Sequence, residues 1–139
     1  MNKKNLDNSQ GKNFVEFRIE NNSAAPIIQM EIADTFFKRF LGLMGRKNIP
    51  RGHGLLISPC NSIHMLFMRF SIDVVYLDEN FVVKKIVKNL PAWIGLSICF
   101  GAKSVVELAA GEVDRLKIEV GQKFFHNKPS LSSSSINEP

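Results

Sequence analysis

The stretch IDVVYLDENFVVKKIV, residues 72–87, constrains the fold of this chain more than any other. Two β-branched runs flank the polar triplet Asp78, Glu79, Asn80. Branched and aromatic side chains lose rotamer freedom on a helix but pack well on a pleated surface, and Asp and Asn favour turns. The sequence therefore predicts a β-hairpin here.

Other segments have the same period. FVEFRIE (14–20) sets Val15, Phe17 and Ile19 against polar Glu16 and Arg18, and PIIQMEIA (26–33) begins with a proline where its missing N–H matters least. These two segments are predicted to pair as a second hairpin. GLLISP, CNSIHMLFMRF, SVVELAA (104–110) and VGQKFF (120–125) add strands, and EVDRLKI reads as one helical turn. Residues 91–103 show no clear period and read as an extended crossing. RKNIPRGHG (46–54) reads as a loop.

From Asp34 the period changes to that of a helix: Phe36, Phe37, Phe40, Leu41, Leu43 and Met44 fall on one side, with Asp34 as the N-cap and Gly45 as the stop. The expected fold is mainly β: an antiparallel barrel or two-layer sandwich of about seven strands, with one short amphipathic helix at about 34–44. A single domain is expected over 13–125, with 1–12 and the serine-rich 126–139 as disordered tails.

Composition limits the function classes. An apolar share of 45% with 22% charged residues fits a globular domain. No window reaches the ~18 apolar residues of a membrane span, and no apolar run follows the first lysines. The expectation is a cytoplasmic protein with Cys60 and Cys99 reduced, unless a leader has been trimmed. The net charge of +5 is spread over Lys38, Arg39, Arg46, Lys47, Arg51, Lys84, Lys85 and Lys88 without a nucleic-acid signature, so solvated faces are expected rather than a nucleic-acid partner.

Cys60, His64 and Met68 recur every four residues, a trio of soft ligands suited to copper. On a strand, neighbours four apart stand about 13 Å apart, while metal ligands must meet within a few ångströms. Neither a metal nor another cofactor is expected. Cys60 and Met68 read as core residues, and His64 as a hydrogen-bonded partner of an acid.

Asp73 shares a face with Val75 and Leu77, so if that face is the core its carboxylate must be paired or hydrogen-bonded. It reads either as an acceptor for N–H groups of the turn at 69–71 or, with His64, as part of a functional pocket. Arg46 after the helix, and Glu107 interrupting an apolar strand, could line a cleft beside it, or could be a solvated loop charge and an outward strand position. No phosphate-binding loop and no nucleophile elbow is present.

RFLGLMGR (39–46), GLLI (54–57), IHMLFMRFSIDVVYLD (63–78) and VVELAAG (105–111) resemble the uncharacterised domain-of-unknown-function family numbered 192. The resemblance implies a small β-rich prokaryotic domain, often behind an export signal, with no established activity. This chain differs from many relatives in lacking that signal and in carrying IHMLFMRF where they tend to show tryptophan. Two functions follow as expectations. The first is a binding or accessory module with a small-molecule or protein partner around 44–54 and 63–73, drawing on Arg46, His64, Met68, Asp73 and Glu107. The second is a hydrolase or lyase using Asp73 and His64.

Overall fold

The structure is a computed structural model that describes residues 14–20, 22, 24, 26–33 and 46–126. The helix expected at 34–44 and the expected tails, apart from His126, lie outside the described residues.

Among the described residues, nine strands and one short helix follow in chain order: β1 (Phe14–Ile19), β2 (Ile28–Ala33), β3 (His53–Ile57), β4 (Ser62–His64), β5 (Ile72–Leu77), β6 (Val83–Leu90), β7 (Leu96–Ile98), β8 (Ser104–Ala109), α1 (Glu112–Arg115) and β9 (Phe124–His126). Seven strands form one sheet in the order β6-β5-β8-β3-β2-β1-β9, and β4 pairs with β7 in a second, small sheet. Both expected hairpins form, β1 with β2 and β5 with β6. The ends of the large sheet meet at one corner, through a bridge between Val82 and Lys123 and a 2.9 Å bond from Phe124 N–H to the Phe81 carbonyl. The sheet therefore curls without closing along its length, and with the small sheet over one face the architecture is a two-layer sandwich.

The expectation of a purely antiparallel sheet is corrected at one place. β2 and β3 run parallel, from Gln29↔His53 to Ala33↔Ile57. A parallel pair needs a crossover of a dozen residues or more, which the segment between the two strands supplies.

Every residue of β5 is buried, because the sheet has a core on each face. On one face Val75, Leu77, Val106 and Leu108 pack with Phe17, Met30, Phe124 and the α1 side chain Val113. On the other, Val74, Tyr76, Val105, Leu55 and Ile57 pack with Ile63, Met65 and Met68 from the chain around β4. Fully burying such a side chain contributes roughly 1.5–3 kcal/mol, so the outer layer stabilises the fold as well as covering it.

That outer layer departs most from expectation. CNSIHMLFM is a strand only at Ser62–His64, because Met68 N–H bonds back to the Met65 carbonyl at 3.1 Å and turns the chain. Residues 91–103 are no plain crossing: they turn at 92–94, where Trp93 N–H reaches the Met65 carbonyl at 2.9 Å, and then form β7. Gly95 sits where the two turns touch. A Cβ there would stand 2.6 Å from the Pro91 carbonyl oxygen and 2.7 Å from Met65 Cγ, so only glycine fits.

Candidate functional site

Asp73 is 1% exposed, and its carboxylate is fully engaged. Oδ1 accepts the Asn89 N–H at 2.9 Å, and Oδ2 accepts those of Gly111 and Val113 at 3.0 Å each. A register shift in the β5–β6 pairing and a positive φ of 53° at Asn89 turn that N–H inward. Asp73 thus ties β5 to the end of β6 and to the start of α1. Its partners are not the 69–71 turn that the sequence suggested.

His64 does not join it. It lies on the exposed face of β4 opposite Leu96, and no hydrogen bond links it to Asp73 among the described residues. Met68 is a buried core side chain and Cys60 is half-buried, its thiol donating to the Ser62 carbonyl at 3.1 Å. Cys60 and Met68 pack into the same core, as the sequence suggested, while His64 faces away from it. Among the described residues no group of three His, Cys, Asp or Glu could hold a metal ion.

Arg46 and Glu107 do come together, on the face of the sheet opposite Asp73. The register runs Glu31, Leu55, Glu107, Val74 across four strands, while Asp73 is paired with Leu108 and faces the other core. Arg46 forms a two-pronged bond to Glu31, with both N–O distances 2.9 Å. This fork fixes orientation as well as charge. Glu107 is not the outward position that strand parity suggests, since the outer layer covers that face. One of its carboxylate oxygens is buried without a hydrogen-bond partner among the described residues. Burial pushes its pKa up to about 7, and the positive charge of Arg46 opposes the rise.

A cavity of about 410 Å³ adjoins this row of side chains. Its walls include Glu31, Arg46, Ile49, His53 and Leu55, and the Phe14 ring meets the His53 ring edge-on at 5.5 Å between centroids. The loop at its mouth is pinned from below. Glu112, 3% exposed, accepts the Gly52 N–H at 3.0 Å and a two-pronged bond from Arg115, which is the main cause of its lowered pKa. A partly apolar hollow with a few fixed polar groups in its wall, one of them Arg46 whose charge acts on the buried Glu107 carboxyl behind it, suits a small ligand. Glu31 and His53 were not picked out in the sequence. Only the β2–β3 pairing, joined by a crossover, puts Gln29 and Glu31 beside His53 and Leu55.

Two more buried polar groups lie on this side of the sheet. The Tyr76 hydroxyl lies near Ser97, but among the described residues neither oxygen makes a hydrogen bond of adequate geometry, and burial raises the tyrosine pKa. The basic residues are partly engaged: Lys88 pairs with Asp114 at 2.6 Å and Lys85 donates to the Ile98 carbonyl at 2.9 Å. Among the described residues no helix is long and apolar enough to cross a membrane.

A family model described as DUF192, Uncharacterized ACR, matches residues 17–126. A UPF0127 protein of Thermococcus sibiricus is 40% identical over 101 residues, which cover 68% of this chain and 64% of that protein. The chain therefore spans just under two thirds of that relative. A UPF0127 protein of Pyrococcus furiosus is 38% identical over 106 residues, covering 73% of this chain and 89% of that one. The fold also matches two crystal structures. One is a Novosphingobium aromaticivorans protein of unknown function, with a TM-score of 0.76 and 21% identity over 85% of this chain and 89% of that chain. The other is a candidate transcription regulator from Sinorhizobium meliloti, with a TM-score of 0.74 and 19% identity over 84% and 95%. At such identities the likeness speaks for the fold alone.

Proposed function

The chain belongs to the uncharacterised family DUF192, whose members carry no enzymatic assignment, and from that premise we propose that it is a single-domain binding module for a small polar molecule. The site is the cavity between β2, β3 and the 46–50 loop. The observation that carries this reading is the Arg46–Glu31 fork at the cavity wall, beside a buried Glu107 carboxyl that has no hydrogen-bond partner for one oxygen among the described residues. Such an oxygen is costly to bury unless a further group satisfies it. A ligand suited to these walls offers an acceptor or anionic group to Arg46 and a donor to Glu31, with an apolar part against Phe14, Ile49 and Leu55.

The rival reading, a hydrolase or lyase built on Asp73 and His64, loses its main support. Both Asp73 oxygens are held by backbone N–H groups, and the histidine lies elsewhere. The reading includes a cytoplasmic address, supported by Cys60 and Cys99 standing as thiols. It does not call on nucleic acid, since Arg46 and Lys88 are already ion-paired. The test is native mass spectrometry of the protein purified from its own host, where a bound small molecule is expected. Protein that carries none when isolated without dialysis would count against the proposal.

A further inference from the structure

The outer layer presents an apolar surface that neither the cavity nor the core requires. Leu66 and Phe67 occupy the tip of one turn, Trp93 and Ile94 that of the next, and Leu96 and Phe100 follow along and beyond β7. Ile94 is 83% exposed, Phe100 80% and Leu96 76%, so these side chains stand free of the surface. The tips form one unit: the Phe67 and Trp93 rings meet at 5.6 Å, and Met65 N–H bonds the Gly95 carbonyl at 2.9 Å. Phe67 and Trp93 hold positive φ values of 64° and 67°, uncommon for bulky residues and maintained by the packed turns beneath.

The two segments that build this surface carry charge of one sign. Residues 58–72 and 90–106 contain no Asp or Glu but include Arg69 and Lys103. From β6, Lys85 reaches the Ile98 carbonyl at 2.9 Å, and Lys84 Nζ lies 3.0 Å from where a Gly101 Cβ would stand. Protruding apolar tips with tryptophan among them, on segments that carry cations and no acidic residue, match the chemistry of an anionic lipid interface. A protein interface of ordinary kind is a packed patch with a mixed polar rim.

We propose that the outer face of the β4–β7 layer docks on an anionic membrane surface, with Leu66, Phe67, Trp93, Ile94, Leu96 and Phe100 entering the headgroup region and Arg69, Lys84, Lys85 and Lys103 meeting lipid phosphates. The proposal shares no residue with the cavity, so either can fail without the other.

Trp93 is the only tryptophan in the chain and reports directly on the docking face. Its emission is followed as the full chain is titrated with vesicles of phosphatidylglycerol and phosphatidylcholine, or of phosphatidylcholine alone. The expected result is a blue shift with at least tenfold stronger partitioning onto the anionic vesicles, weakened by salt. The double variant Ile94→Ser, Leu96→Ser should lose at least tenfold in partitioning with an unchanged melting curve, since both side chains are exposed. No shift on anionic vesicles, or an equal and salt-insensitive shift on neutral ones, overturns the proposal. A shift that grows with protein concentration in lipid-free buffer also overturns it and assigns the face to a second copy of the chain.

Discussion

At the scale of single residues, two buried carboxylates in neighbouring strands have opposite roles. Asp73 is a structural acceptor. Hydrogen bonds to a charged group contribute roughly 1.5–3 kcal/mol each, and truncation leaves three N–H donors without it. Asp73→Ala should therefore lose about 3–5 kcal/mol of stability in urea unfolding; a loss under 1 kcal/mol would mean the three bonds contribute little. Glu107 behaves in the reverse sense. Its folded-state pKa of about 7 lies above the ordinary 4.5, so folding favours the protonated form. That contribution is fully present below pH 4.5 and is lost as pH rises through about 7. Glu107→Gln, which resembles the protonated acid, should be more stable than the native chain at pH 8.5 by up to about 3 kcal/mol, with the gap closing below pH 5. An equal gap at both pH values would rule out titration as its cause. The sequence showed both residues as misfits in apolar strands, and parity put Asp73 on one face with Val75 and Leu77, buried if that face is the core. Parity could not show that the face carrying Glu107 is covered as well, because the covering layer comes from β4 and β7, two three-residue strands too short to leave a period.

At the scale of elements, legibility followed locality. The β5–β6 hairpin was readable because its strands and turn are contiguous, and the β1–β2 pair for the same reason. The parallel β2–β3 pair depends on a crossover, and which strand of a sheet a crossover reaches is decided by the whole core rather than by any local pattern. The two turns of the outer layer were missed because their aromatic residues look like strand residues while the chain reverses at them. Gly95 is what lets those turns close on each other. Gly95→Ala should cost about 1–3 kcal/mol from the clash with the Pro91 carbonyl and Met65, and should broaden the amide signals of 65–68 and 92–95 in NMR spectra. An alanine variant with native stability and an unchanged spectrum would show that the layer has room to give.

At the scale of the whole molecule, the curled sheet separates a structural face from a face with functional potential. Asp73 and α1 secure the inner core, while Arg46, Glu31, Glu107 and the cavity lie toward the other side, under and beside the outer layer. The sequence brought out Arg46 and Glu107 as cleft residues but grouped them with Asp73 and His64. The structure sorts these onto opposite faces and separate sheets. The central claim is that the site is the Arg46–Glu31 cavity rather than an Asp73–His64 pair. Native mass spectrometry of three forms expressed in the host tests it most directly: the native chain, Arg46→Ala and His64→Ala. The account predicts one small-molecule mass on the native chain and on His64→Ala and none on Arg46→Ala. A mass kept by Arg46→Ala and lost by His64→Ala would contradict it.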